Sequence, residues 1–180
     1  MQIFTETERL ILREIVPSDV EAMFELDSDP AVHKYLGGRP VRTKEQVEQI
    51  IEFVRKQYQE NGIGRWAVID KKSDQFIGWT GLKLVKDTIN NHSNYYDLGY
   101  RLIREYWGKG LATESAIASL NFGFKEMNLK EIIAIAQIEN KSSNRVIQKL
   151  GFEFKIFFEY DNAYHNWHSL KSENWKSVGI

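Results

Sequence analysis

The chain contains no cysteine. That absence removes disulfides, thiolate metal sites and a cysteine nucleophile together, and it fits a reducing compartment. Prolines number three in 180 residues. No repeat, low-complexity tract or linker divides the chain, so one domain over 1–180 is the expectation. An excess of charge is missing too: 24 lysines and arginines stand against 25 aspartates and glutamates. The balance gives no argument for nucleic acid or an anionic membrane as the main partner. No apolar run approaches the roughly 20 residues that cross a bilayer. Met1-Gln2-Ile3-Phe4-Thr5-Glu6 lacks the basic start and apolar stretch of a signal peptide, and a cytoplasmic location is expected.

What the chain does have is enough apolar surface for a core, at 42% of residues, with 13% aromatic. Thr7 to Ile15 alternates as a first strand. Pro17-Ser18-Asp19 opens a helix, with Ser18 and Glu21 spaced as a capping box and Val20, Met23, Phe24 and Leu26 on one face. Asp29-Pro30 breaks it, and Ala31 to Leu36 adds a short turn. Thr43 and Gln46 form a second capping box before Val47, Ile50, Ile51, Val54 and Tyr58, and Asn61-Gly62 stops that helix. Strand-like runs follow at Arg65 to Asp70, Phe76 to Val85 and Tyr95 to Ile103. A helix over Ala112 to Met127, an apolar strand over Glu131 to Ile138 and a short helix over Ser142 to Leu150 come next. Phe152 to Tyr160 and Asn166 to Asn174 close the chain as antiparallel strands. The order describes an α+β domain with one strand-turn-helix-strand crossover.

The chemistry concentrates in Tyr106-Trp107-Gly108-Lys109-Gly110-Leu111-Ala112-Thr113-Glu114, between a strand and a helix. Glycines at 108 and 110 let a backbone approach a ligand closely, and a helix start presents N–H groups and a positive dipole end. Together these suit a phosphate or pyrophosphate. The spacing is not that of Walker A, nor of the dinucleotide fingerprint, because Thr113 stands at the third glycine. Without a ligand the segment reads as a tight strand-to-helix connection.

This segment, taken from Arg104 to Glu114, resembles the acetyl-CoA pyrophosphate loop of the GNAT family of N-acetyltransferases, and more narrowly the branch of the ribosomal-protein alanine acetyltransferases. Glu8-Arg9-Leu10-Ile11-Leu12-Arg13 resembles that branch's opening strand, and Asp97-Leu98-Gly99-Tyr100 its central strand. Asn140 to Phe152 resembles its late strand-helix-strand motif. The likeness spans about 7–175. It implies a mixed, mostly antiparallel sheet of about seven strands flanked by about four helices. The implied reaction is direct acetyl transfer from acetyl-CoA to a protein N-terminus or a small-molecule amine. At family level it also implies a homodimer.

The resemblance implies cofactor contacts from Trp107, Gly108, Lys109, Gly110, Leu111, Ala112 and Thr113, and from the strand end at Leu102 and Ile103. Asn140 and Asn144 match contacts to the pantetheine arm, with turn and capping roles as the other reading. Asp97 stands where many relatives carry a carboxylate, as general base or holder of a water; a salt bridge is the alternative. The tyrosine that many relatives use to protonate the thiolate is replaced by Ile147. Ser143 is the substitute, unless it is only the helix N-cap. Glu105 departs from the family's glutamine or arginine and is expected to face solvent. Gly99 reads as a bulge. A non-catalytic module that senses acyl-CoA remains a second reading, supported by Ile147. No metal site is expected, since His165 and His168, three apart on a strand, point to opposite faces. His33 reads as a surface histidine near the acceptor region, and Trp66, Trp79 and Tyr96 as core.

Overall fold

The computed structural model describes residues 1–176; the last four residues of the expected domain, 177–180, lie outside the described part. The chain begins with a hairpin, β1 (Ile3–Glu6) and β2 (Leu10–Glu14). Three helices follow, α1 (Val20–Ser28), α2 (Pro30–His33) and α3 (Lys44–Asn61). A meander of β3 (Trp66–Asp70), β4 (Gln75–Val85) and β5 (Tyr95–Leu102) leads into α4 (Leu111–Asn121) and β6 (Glu131–Gln137). Helix α5 (Lys141–Lys149) and the hairpin of β7 (Glu153–Tyr160) and β8 (Ala163–Lys171) complete it. The strands form one sheet in the order β1-β2-β3-β4-β5-β6-β8-β7. Among the described residues only β5 and β6 pair in parallel, as a crossover through α4 requires.

The sheet is covered on both faces in its centre. Leu10, Leu12, Trp66, Val68, Leu82, Leu98 and Ile132 pack with Leu111, Ala116, Leu120 and Ile147 on the side of α4 and α5. Ile15, Ala67 and Ile69 pack with Met23, Val47, Ile51 and Val54 on the side of α1 and α3. That double covering is why Trp66-Ala67-Val68-Ile69 is buried at every position rather than at alternate ones.

Local signals explain the element ends. Gln46 Oε1 accepts from the Arg42 and Thr43 N–H groups at 2.7 and 3.3 Å, and Gly62 ends α3 with φ of +69°. The first helical segment is capped differently from expectation. The Asp19 carboxylate accepts the Val16 N–H at 2.8 Å and is held by Arg13 at 2.7 Å, so Asp19 takes the place expected for Ser18 and Glu21. Asp161 and Asn162 make a two-residue turn with φ of +49° and +59°, the signature of a tight hairpin. This turn starts β8 at Ala163, three residues earlier than the sequence pattern indicates. The eighth strand is β1, whose four residues are too short to show a period.

Three histidines are held below 6.5: His33, His165 and His168, each chiefly by burial. A group whose folded pKa is depressed resists the proton that the unfolded chain takes up. Stability is therefore lost as pH falls below 6.5 toward the folded values, by at most about 1.4 kcal/mol per pH unit per group. The melting temperature should drop between pH 7.5 and 5.5, and His168→Gln should make that slope shallower. An identical slope in the variant would contradict the assignment.

Candidate active site

The turn between β5 and α4 runs through a short 3-10 segment, Arg104–Tyr106, then Gly108 at φ of +72° and Gly110 at +80°. Gly110 is the N-cap of α4 and brings no side-chain acceptor, so the first-turn N–H groups of the helix are left for another partner. No atom lies within 4 Å of where a Cβ on Gly108 would be. The loop is tied down from a distance. Arg9, just before β2, donates from Nη1 to the Lys109 carbonyl at 3.0 Å and from Nε to Glu114 at 2.6 Å. Glu114 also accepts from the Thr7 hydroxyl and from the Arg9 N–H. Burial opposes its ionisation, yet these bonds and the guanidinium outweigh it and hold the carboxyl below its usual range. A carboxylate in the first turn would repel an anion at that helix end; pairing with Arg9 cancels its charge. Glu105 is exposed, as expected.

Beside this loop the sheet opens. β5 and β6 share a single paired position, Asp97 with Ile133. The Ile103 N–H donates to the Ile77 carbonyl across β4 at 2.9 Å. By the alternation of an antiparallel ladder, the backbone groups of Tyr100 and Leu102 then point toward β6, into the gap. Three side chains are fixed on its rims, and one of them, Tyr100, reaches from β5 to α5. Trp107 donates from its indole to the Leu102 carbonyl at 2.8 Å. The Tyr100 hydroxyl meets the Ser143 Oγ at 3.0 Å and the Ser143 carbonyl at 3.2 Å. Asn144 donates to the carbonyls of Gln137 and Asn140 at 2.9 and 2.8 Å and accepts from Asn166 at 2.9 Å, joining α5 to β6 and β8. Burial pushes the Tyr100 phenol up to about 12, against the opposing effect of Ser143.

The other face of β5 carries a row of ion pairs. Asp97 is bonded by the Arg65 guanidinium, which also donates to the Asp97 carbonyl at 2.6 Å and to the Gly81 carbonyl. Arg101 binds Asp27, and the ring of Trp79 lies 4.9 Å from the Arg101 guanidinium and 5.5 Å from that of Arg65. His33 Nε2 lies 3.7 Å from Asp27. Burial holds Lys83, directly across the ladder from Asp97, below its usual value.

Several expectations are revised by this geometry. Gly99 is not a bulge, because β4 and β5 stay in continuous register from Gly78↔Leu102 to Val85↔Tyr95. It is a glycine because Arg65 crosses it: a Cβ there would sit 2.6 Å from Arg65 Nη2. The N-cap of α5 is Asn140, whose Oδ1 accepts the Ser143 N–H at 3.1 Å; Ser143 lies within the first turn, its hydroxyl turned to Tyr100. The polar atoms of Asn144 are spent inside the fold. The Leu102 carbonyl is taken by Trp107, while the Ile103 N–H and carbonyl bond Ile77 and Tyr106. His33 is buried rather than on the surface, at 7% exposed. Asp97 does form the salt bridge offered as its other reading, with Arg65 beside β3. His165 and His168 have opposite faces, and no metal-holding cluster occurs among the described residues. Sequence reasoning missed the roles of Arg9, Arg65, Tyr100 and Trp107; each acts on a partner close in space and distant in sequence or hidden in a turn, and no local pattern marks it.

Gly99→Ala should therefore force the Arg65 side chain off Asp97 and destabilise the fold by about 1–3 kcal/mol, the usual cost of overpacking. Denaturant unfolding checks this, and an unchanged midpoint would refute the close approach.

A model of the Acetyltransferase (GNAT) domain matches residues 9–153. The chain is 31% identical over 158 residues to an uncharacterized N-acetyltransferase, p20, of Bacillus licheniformis, covering 87% of this chain and 86% of that protein. A GNAT-family acetyltransferase structure from Bacillus anthracis superposes with a TM-score of 0.78 at 30% identity, over 96% of this chain and 99% of the other. Two less similar structures share the fold. The ribosomal-protein-S5-alanine acetyltransferase of Vibrio fischeri has a TM-score of 0.75 at 23% identity, over 96% and 98% of the two chains. The spermidine N-acetyltransferase of Vibrio cholerae, solved with CoA and spermine, has 0.75 at 19%, over 93% and 98%. The open sheet, the glycine turn before α4 and these matches lead to one assignment: the chain belongs to the GNAT family of acetyltransferases.

Proposed function

We propose that the chain carries an acetyl group from acetyl-CoA directly to a primary amine. In this reading the pyrophosphate lies on the glycine turn and the pantetheine arm enters the gap between β5 and β6. The observation that carries it is that gap, which opens after one paired position and faces the uncapped N-terminus of α4. Gly108, Gly110, Lys109 and the N–H groups of Leu111, Ala112 and Thr113 suit a diphosphate: no Cβ obstructs at the glycines, and the helix end offers donors. The inward-pointing backbone of Tyr100 and Leu102 suits the amides of an extended arm. Trp107 must swing away if the Leu102 carbonyl is to serve it.

The thioester supplies the acetyl group; the protein must hold it, exclude water, take a proton from the attacking amine and return one to the departing sulfur. For the last task we assign Ser143 together with Tyr100. The serine hydroxyl stands at the rim of the gap, 3.0 Å from the phenol of Tyr100, which is protonated at neutral pH even at its ordinary value and can relay a proton through that hydrogen bond. This pair takes the place of the tyrosine lost at Ile147, which is buried in the core at 2% exposed. Asp97, fixed by Arg65 where the gap begins, is assigned to order a water that accepts the amine proton.

The acceptor is placed on the face carrying Asp97, Trp79 and Arg101. Both carboxylates at its centre, Asp97 and Asp27, are already neutralised by guanidiniums. A polycation would need unpaired carboxylates there, so an acceptor with one ammonium, such as a protein N-terminus, fits better than a polyamine.

Thiol release in the presence of N-terminal peptides and of polyamines tests the proposal. The peptides should be the better acceptors. Ser143→Ala and Tyr100→Phe should each lower kcat by about 10²-fold or more, the lower range for general acid catalysis, with acetyl-CoA binding kept. The double variant should be no worse than the weaker single one, as expected of residues acting as a unit. Thiol release undiminished in both variants would remove the assigned pair. Cofactor binding with no turnover on any amine would favour the sensing module.

A further inference from the structure

On the face given to the acceptor, the charges do not come out even. Two rows run along the paired strands β4 and β5, with Trp79, Gly81 and Lys83 set against Arg101, Gly99 and Asp97. The glycines leave the floor between the two ends bare. The Arg65 guanidinium crosses it to reach the Gly81 carbonyl and the Asp97 carboxylate. Arg65 is thereby matched by Asp97, and Arg101 by Asp27. His33, beside Asp27, is held below its usual value chiefly by burial and adds little charge at neutral pH.

Lys83 is the cation left over. It is half-buried, and among the described residues it makes no hydrogen bond and no ion pair. Burial and then Arg65 oppose its charge, and Asp97 and Asp87 offset them only in part. A cation drawn partly out of water without a partner is costly to keep. A carboxylate arriving from outside the fold would relieve that cost.

We propose that Lys83 selects an acceptor with a carboxylate near its amine, namely a peptide N-terminus whose second residue is acidic. This rests on the acetyl transfer proposed above and deepens it by naming the acceptor. The amine attacks at the gap, on the β6 side of β5, near the water assigned to Asp97. Lys83 stands on the β4 side, one strand spacing of about 4.8 Å further across the sheet. Opposite side chains on such a ladder have Cβ atoms about 5 Å apart, so Lys83 borders the spot where the amine is deprotonated. A carboxylate on the amine-bearing carbon falls short of that offset, whereas the side chain of a second residue spans it. Arg65 and Arg101 already hold carboxylates, which leaves Lys83 to take the incoming one. The new pair favours the charged form that burial opposes. A basic second residue would be repelled by the same ammonium.

Thiol release by the full chain, with peptides beginning Ala-Glu, Ala-Gln and Ala-Lys and with free alanine, tests this. For the wild type, kcat/KM should be highest with Ala-Glu and lowest with Ala-Lys. The Ala-Glu peptide should exceed Ala-Gln by about tenfold, the lower end for a bond between charged groups, with the difference in KM. Lys83→Met should bring Ala-Glu down to Ala-Gln, and Lys83→Arg should keep the preference. Lys83→Glu should turn it toward Ala-Lys. Each preference is a ratio read within one enzyme, so a general loss of activity in a variant does not alter it. Equal use of the three peptides by the wild type would overturn the proposal and leave acetyl transfer standing. So would a preference for Ala-Glu that survives Lys83→Met, or free alanine used better than the peptides. Turnover of no amine at all would remove both.

Discussion

Parallel strands normally hold together through a run of slanted hydrogen bonds, and here that run is cut to one position. Past Asp97 and Ile133, β5 and β6 diverge, and the backbone of Tyr100 and Leu102 faces a gap instead of a strand. Buried N–H and C=O groups without partners are costly, of the order of 1–3 kcal/mol each. The rest of the site can be understood as the fold's answer to that cost. Trp107 supplies a donor to one carbonyl, Tyr100 spans the gap to Ser143, and Asn144 fastens the start of α5 to the ends of β6 and β8. A ligand that brings amides of its own can bond the backbone that faces the gap.

Electrostatics divides the two sides of that gap. On the α4 side, the first-turn carboxylate that would oppose an anion, Glu114, is consumed by Arg9 and Thr7, and the same arginine holds the Lys109 carbonyl. On the other side, Arg65 and Arg101 flank Trp79 and neutralise Asp97 and Asp27. On both sides the carboxylates near the gap are thus neutralised by guanidiniums.

The legible part of the fold was the part governed by local rules. The capping box at Thr43, the glycine stop at Gly62, the even and odd faces of β5 and the glycine turn before α4 all depend on neighbours within a few residues. Features that depend on distant partners stayed hidden. Gly99 looked like a bulge because its reason, the Arg65 side chain, lies 34 positions earlier. Ser143 looked like a cap because Asn140, three residues before it, is a better one, and its link to Tyr100 crosses between two elements. β1 was missed because four residues carry no period. Chain order and motif spacing revealed the family, whereas the acceptor is chosen by side chains that meet only after folding.

The central claim is that the glycine turn and the opened sheet together hold acetyl-CoA. Isothermal titration of acetyl-CoA into the wild type and into Gly108→Trp tests it most directly. The space at the added Cβ is open but the backbone there has φ of +72°, so a matching far-ultraviolet spectrum and melting temperature are needed to show the variant folded. Saturable one-to-one binding by the wild type and its loss in the variant are expected. Equal binding by both, or none by the wild type at millimolar acetyl-CoA, would contradict it.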